Sequence, residues 1–216
     1  GMKAHRNVVP MICLLDNCRL HSLLSDCPDI AGNRASIDGW SKITGRILYR
    51  PYTASGAFFL PAVLTMAEEM KYLRDHGSLG GFREYGGAPQ ANWAMLNWME
   101  VKIMWDVDQD PKKLRRQFIE GYYGKAAADP VERVYARMES GIRNSSVAPR
   151  PESPYGHNYM NSGFLSPFVE ASRRDIEAAL RIAQTEENAS FKRRIARDMG
   201  ALIGRVPPNL VELLKE

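Results

Sequence analysis

Two carboxylates in this chain stand where acid–base chemistry can be mounted on a sheet. Asp16 directly follows the apolar run Asn7–Leu15, and Glu84 lies at the end of the Leu79–Tyr85 segment. Two carboxyl groups can divide the work of general acid and general base when their surroundings push their pKa values apart. Glu84 is the stronger candidate, because Phe82, Tyr85 and Trp93 lie near it and partial burial among rings would raise its pKa. The alternative for Glu84 is an ion pair with Arg83, Arg50 or another arginine. For Asp16 it is a turn capped by its own side chain.

Around these acids stand groups that could hold a ligand. Tyr49, Tyr52, Trp93 and Trp98 carry aromatic faces of the kind that pack on the apolar C–H surface of a pyranose. Tyr52, at a strand end, and Trp93, at a helix start, are the best placed. Trp98, with Trp105 seven residues further along the same helical stripe, reads as core packing. Arg50 could bind an acidic sugar's carboxylate through two parallel hydrogen bonds, or serve as a structural ion-pair partner. His21 follows the first strand and could touch a substrate, although a hydrogen-bonded loop histidine is as common. Cys13, Cys18, His21 and Cys27 could supply a tetrahedral zinc site, but Cys13 lies in an apolar strand and the spacing fits no standard zinc module. A Cys18–Cys27 disulfide or buried free thiols are the competing readings, and no metal or cofactor is assigned. No nucleophile elbow, phosphate loop or dinucleotide fingerprint is present.

The elements that must position these groups change character along the chain. Asn7–Leu15 is nearly all apolar and reads as a strand buried on both faces, followed by a polar loop from Asp16 to Asn33. A helix over Ser36–Thr44 capped by Ser36, a strand over Arg46–Tyr52, a helix over Pro61–His76 closed by Gly77, and a strand over Leu79–Tyr85 complete the first part. Strands that alternate with helices imply a parallel sheet. From Pro89 onward only helical periods occur: Ala91–Trp105, then Pro111–Tyr122 capped by Asp110 and ended by Gly124, then Lys125–Ile142. After a proline-rich loop over Asn144–Gly163, helices follow from Ser166 to about Thr185 and over Asn188–Ile203. The fold class is α/β followed by all-α. Residues 1–88 hold about three βα units, and residues 89–216 form a helical domain.

Composition narrows the options. The net charge of +4 is small, and the basic clusters Lys112-Lys113, Arg115-Arg116 and Arg193-Arg194 have acids nearby. With no interleaved aromatics, nucleic-acid binding is set aside. No apolar run approaches the roughly 20 residues of a membrane span.

Several segments together resemble a bacterial family, domain of unknown function 4838, that is grouped with glycoside-hydrolase (β/α) barrels. They are the Cys18-Arg19-Leu20-His21 loop leading to Cys27, Trp40 with Ile43, and the Tyr49–Tyr52 strand. The Gly80-Gly81-Phe82-Arg83-Glu84 strand, the Trp105–Asp110 run, the Tyr122–Ala127 joint and the Arg193–Arg197 stretch follow. The resemblance implies the C-terminal portion of a (β/α) barrel, a carbohydrate substrate, and a periplasmic or cell-surface location. It also implies hydrolysis of a glycosidic bond by two carboxylates, with Glu84 and Asp16 as catalytic candidates and Tyr52, Arg50, His21, Trp93 and Tyr49 as substrate contacts. A closed barrel takes eight βα units and typically ~250 residues. Three units leave sheet edges that association between identical chains would cover. The competing reading is a non-catalytic module that binds a glycan or a protein partner.

Overall fold

The computed structural model describes residues 3–14, 21–51, 65–82, 93–144 and 166–203; within them lie three strands and seven helices. Met11–Leu14 (β1), Ile47–Pro51 (β2) and Ser78–Gly81 (β3) form a parallel sheet in the order β1-β2-β3. Parallel strands need long crossovers. Here helix Pro28–Thr44 (α1) joins β1 to β2, and helix Met66–Asp75 (α2) lies between β2 and β3. Both crossovers step in the same direction, and crossovers of one hand then leave both helices on the same face.

Burial follows that geometry. Ile12, Leu14, Ile47 and Tyr49 are buried on the helix-covered face, and the Tyr49 hydroxyl donates to Met70 Sδ of α2 at 3.0 Å. On the opposite face Met11 is 44% exposed and Cys13 is exposed, beside their half-buried register partners Leu48 and Arg50. The first strand is thus covered on one face rather than the expected two.

Helix α1 corrects a second expectation, since it begins at Pro28 and not at Ser36. Cys27 occupies the N-cap position and Pro28 the first turn, where its missing N–H costs nothing. Ser36 lies inside the helix and donates its hydroxyl back to Gly32 O at 2.9 Å. The Gly32-Asn33 pair gives this stretch the composition of a loop, but tertiary packing of Ile30 and Ile37, both fully buried, overrides it. Helix α2 ends as expected before Gly77, whose φ of 78° suits a residue without a Cβ.

Five helices follow: Trp93–Trp105 (α3), Pro111–Tyr123 (α4), Lys125–Arg143 (α5), Ser166–Thr185 (α6) and Ala189–Leu202 (α7). Asp110 caps α4 by accepting from Lys112 N–H at 2.8 Å, and Asn188 caps α7 by accepting from Ser190 N–H at 3.0 Å. Between α4 and α5 the chain reverses at Gly124, whose φ is 84° and whose missing Cβ would sit 2.7 Å from the Phe191 ring of α7. The two preceding tyrosines tie the same joint. Tyr123 donates to the buried Asp198 of α7 at 2.8 Å and shares a 2.6 Å bond with Tyr135 of α5. Tyr122 stacks on Phe118, lies under the Arg194 guanidinium at 4.3 Å, and accepts from Arg197 at 2.9 Å.

Charge pairs lock the bundle further. Arg115 of α4 is buried and donates to Glu132 at 2.7 Å and to Glu139 at 3.0 Å, both on α5. Removing this positive charge takes the guanidinium from the buried Glu139 and the half-buried Glu132. Arg115→Met should therefore lower unfolding free energy by about 3–5 kcal/mol, measured by urea denaturation. Asp175 of α6 accepts from Arg133 at 2.8 Å and Arg137 at 2.9 Å on α5. Burial alone would raise the pKa of its carboxyl, but the bonds from Arg133 and Arg137 outweigh it and hold the pKa below the ordinary value. The folded pKa is depressed, so this contribution is present above the unfolded pKa and is lost as pH falls through the folded one. Asp175→Asn should cost about 1–3 kcal/mol at neutral pH, with a difference from the parent that closes as an acid titration passes below pH ~4.

Candidate functional site

In a sheet of this topology, ligands are placed beyond the carboxyl ends of the strands. Three of the expected site residues reach that end among the described residues. His21 opens the described part of the connection that leaves β1, Arg50 is near the end of β2, and Trp93 starts the helix that follows β3. All three are half-buried. The C-terminal end of α3 lies against the start of β3, since Met104 and Trp105 share a cavity with Ser78 and Leu79. Trp93, at the first position of the same helix and twelve residues before Trp105, therefore lies towards the other end, with Arg50.

Strand β2 decides which of its two neighbours can meet a ligand. Arg50 points to the open face, where its guanidinium lies 5.5 Å from the centroid of the Phe82 ring. Tyr49 points the other way and is only 3% exposed. The space for it is made by Gly81, where a Cβ would fall 2.3 Å from the Tyr49 ring. Tyr49 is thus a core residue under β3, and Arg50 is the one of the two that faces away from the helix-covered core. Asp16, Tyr52 and Glu84 lie outside the described residues.

The loop carrying His21 is held to the helix layer. Leu23, almost fully buried, donates its N–H to Glu69 Oε1 in the first turn of α2 at 3.0 Å. A carboxylate there also suits the positive end of the helix dipole. Cys13 and Cys27 are free thiols, and Cys18 lies outside the described residues. Among the described residues no group of three metal-ligating side chains is assembled.

Two aromatic expectations separate. Trp98 packs on the core as expected, with its ring 5.8 Å from that of Phe118. Trp105 does not: it is 91% exposed at the last position of α3, beyond the reach of α4. The shared stripe was legible, but where the core ends along it was not. The cavity beside Trp105, about 310 Å³, is lined also by Asp106 and Val107 of the Trp105–Asp110 run. It lies at the start of β3, opposite the end that carries Arg50.

Glu69→Ala should remove the acceptor for Leu23 and leave a buried N–H unsatisfied, at a cost of about 1–3 kcal/mol. Native-state hydrogen exchange should show the Leu23 amide losing protection well before those of α2.

Comparison with known proteins completes the picture. Among the described residues no helix is long and apolar enough to cross a membrane. No curated protein and no solved structure matches the chain. The model of one family, a domain of unknown function (DUF4838), matches residues 1–136, which span the sheet, α1 to α4 and the first part of α5. With well over half its length matched, the chain belongs to the DUF4838 family.

Proposed function

We propose that this chain is the C-terminal part of a (β/α) barrel of the glycoside-hydrolase kind, with a helical domain beyond it, acting on a carbohydrate by carboxylate-assisted hydrolysis. The observation that carries the reading is the one-sided parallel sheet. Helices α1 and α2 cover one face, the strand order never reverses, and on the other face Met11 and Cys13 are exposed while Leu48 and Arg50 are half-buried. A doubly wound sheet would carry helices on both faces. A barrel carries them all outside and turns the opposite face inward.

On this reading Glu84, beyond β3, is the general acid that protonates the glycosidic oxygen. Asp16, beyond β1, is the second carboxylate, acting as base or nucleophile. A separation of ~5–5.5 Å between them would give retention, and ~6.5–9.5 Å inversion. Arg50 would fork onto a carboxylate or hydroxyl pair of the sugar, with Tyr52, Trp93 and His21 at its rim. No cofactor is called for.

A non-catalytic glycan- or protein-binding module is the second reading. It is favoured by the exposure of Met11 and Cys13 on the sheet face that carries Arg50.

Calorimetry with neutral and acidic oligosaccharides tests the proposal. The parent chain should bind acidic sugars saturably, Arg50→Ala should lose that preference, and Glu84→Gln should retain binding but abolish hydrolysis in any longer active form. Binding without hydrolysis by an active-length protein carrying both carboxylates would favour the module. A folded chain that binds none of the panel would remove the carbohydrate site from this end of the sheet.

A further inference from the structure

Trp105 ends α3 with its indole 91% exposed, more than any other large apolar side chain among the described residues. Val101, one turn earlier, and Met104 beside it continue this exposed face of the helix. Leu79 of β3, 63% exposed, joins Met104 and Trp105 in lining the cavity of about 310 Å³. A protruding ring and an open cavity thus share one patch. Exposed apolar patches of this kind mark surfaces that meet a partner.

The lining says what enters. Met104 offers a thioether and Arg74 a guanidinium, and both groups are drawn to aromatic rings. Leu73 and Val107 supply apolar wall. An apolar cavity of ~150 Å³ holds a benzene ring, so this one has room for the larger indole. Under a two-fold axis each surface patch meets its own duplicate. A knob and a hole on one patch then fill each other twice over. Charge agrees with the same partner. Lys71 and Arg74 stand beside Asp75, Asp106 and Asp108, so the patch carries both signs and two copies meet without like-charge repulsion. Arg74 and Asp106, both in the cavity lining, are a pair that two such patches offer each other.

Area sets the strength. Two indoles bury about 300–500 Å². Leu79, Val101 and Met104 of both copies bring the contact towards the ~1,200 Å² lower end of stable interfaces. A reversible, micromolar association corresponds to that size.

We propose that two copies of this chain associate across this patch, the Trp105 indole of each seated in the cavity of the other against Arg74 and Met104. The contact lies at the start of β3 and leaves the Arg50 end of the sheet free. It rests on neither the barrel nor the hydrolase reading.

Sedimentation equilibrium of the 216-residue chain over a micromolar dilution series tests it. The average mass should rise with concentration from the 24.3 kDa of one chain towards twice that value. Trp105→Ala should weaken association at least tenfold and leave Tm at high dilution nearly unchanged, because the indole is so exposed in a single copy. Leu79→Trp, which fills the cavity but keeps the knob, should weaken it as far. Mixing the two variants should restore association between them, since the indole of the second fits the open cavity of the first. A parent chain that stays monomeric throughout would overturn the proposal and leave the patch to a partner of another kind. Dimers that persist in folded Trp105→Ala, or variants that ignore each other when mixed, would overturn it equally.

Discussion

A parallel sheet cannot leave one apolar face to water, and that constraint governs the rest of this structure. Crossover helices are long enough to cover a face, so parallel strands come with built-in cover and are ordinarily buried on both sides. Here the two crossovers place α1 and α2 on the same side. Met11, Cys13, Leu48 and Arg50 are left on the other. On the proposed reading the inner face of a barrel would satisfy this arrangement, because further strands of a ring would cover what the helices do not. The same geometry puts the ends of β1 and β2 and the start of α3 on one rim, where Arg50 is held over Phe82.

The helices beyond the sheet give that rim a fixed base. The buried side chains form one continuous core from Ile12 in β1 to Leu202 in α7, so α3 and α4 join sheet and bundle rather than merely connect them. The joint at Gly124 is where this is most constrained. A positive φ, the Phe191 ring against the glycine, and the Tyr123–Asp198 bond all require the same angle between α4, α5 and α7. Asp198 is almost fully buried, and burial raises the pKa of its carboxyl although Arg197 and Tyr123 both donate to it. Such a group specifies geometry more than it adds stability, because desolvation offsets much of the attraction.

What could be read from the residues followed the strength of the local signal. Helix starts with a side-chain cap, Asp110 and Asn188, and stops at glycine, Gly77 and Gly124, lie where the sequence puts them. The three strands and their parallel pairing were legible from apolar runs alternating with helical periods. Helix α1 was half missed, since Pro28, Gly32 and Asn33 look like loop residues and only burial of Ile30 makes them helical. Whether β1 was covered on one face or two was not legible, because a run of apolar residues is the same string in either case. Trp105 illustrates the same limit: periodicity identifies a stripe, and only the fold says where along it the neighbours stop. Of the candidate site, Arg50, His21 and Trp93 occupy the expected end, and Tyr49 turned inward because one residue along a strand reverses the face.

The account stands or falls on what covers the Arg50 face of the sheet. A crystal structure of the protein would decide it. We predict β3 hydrogen-bonded along its outer edge to another parallel strand, with Leu48 and Arg50 turned into a closed barrel and every crossover helix outside. A layer of helices packed directly on Met11, Leu48 and Arg50 would make the sheet doubly wound and contradict the barrel, and with it the site drawn on its rim.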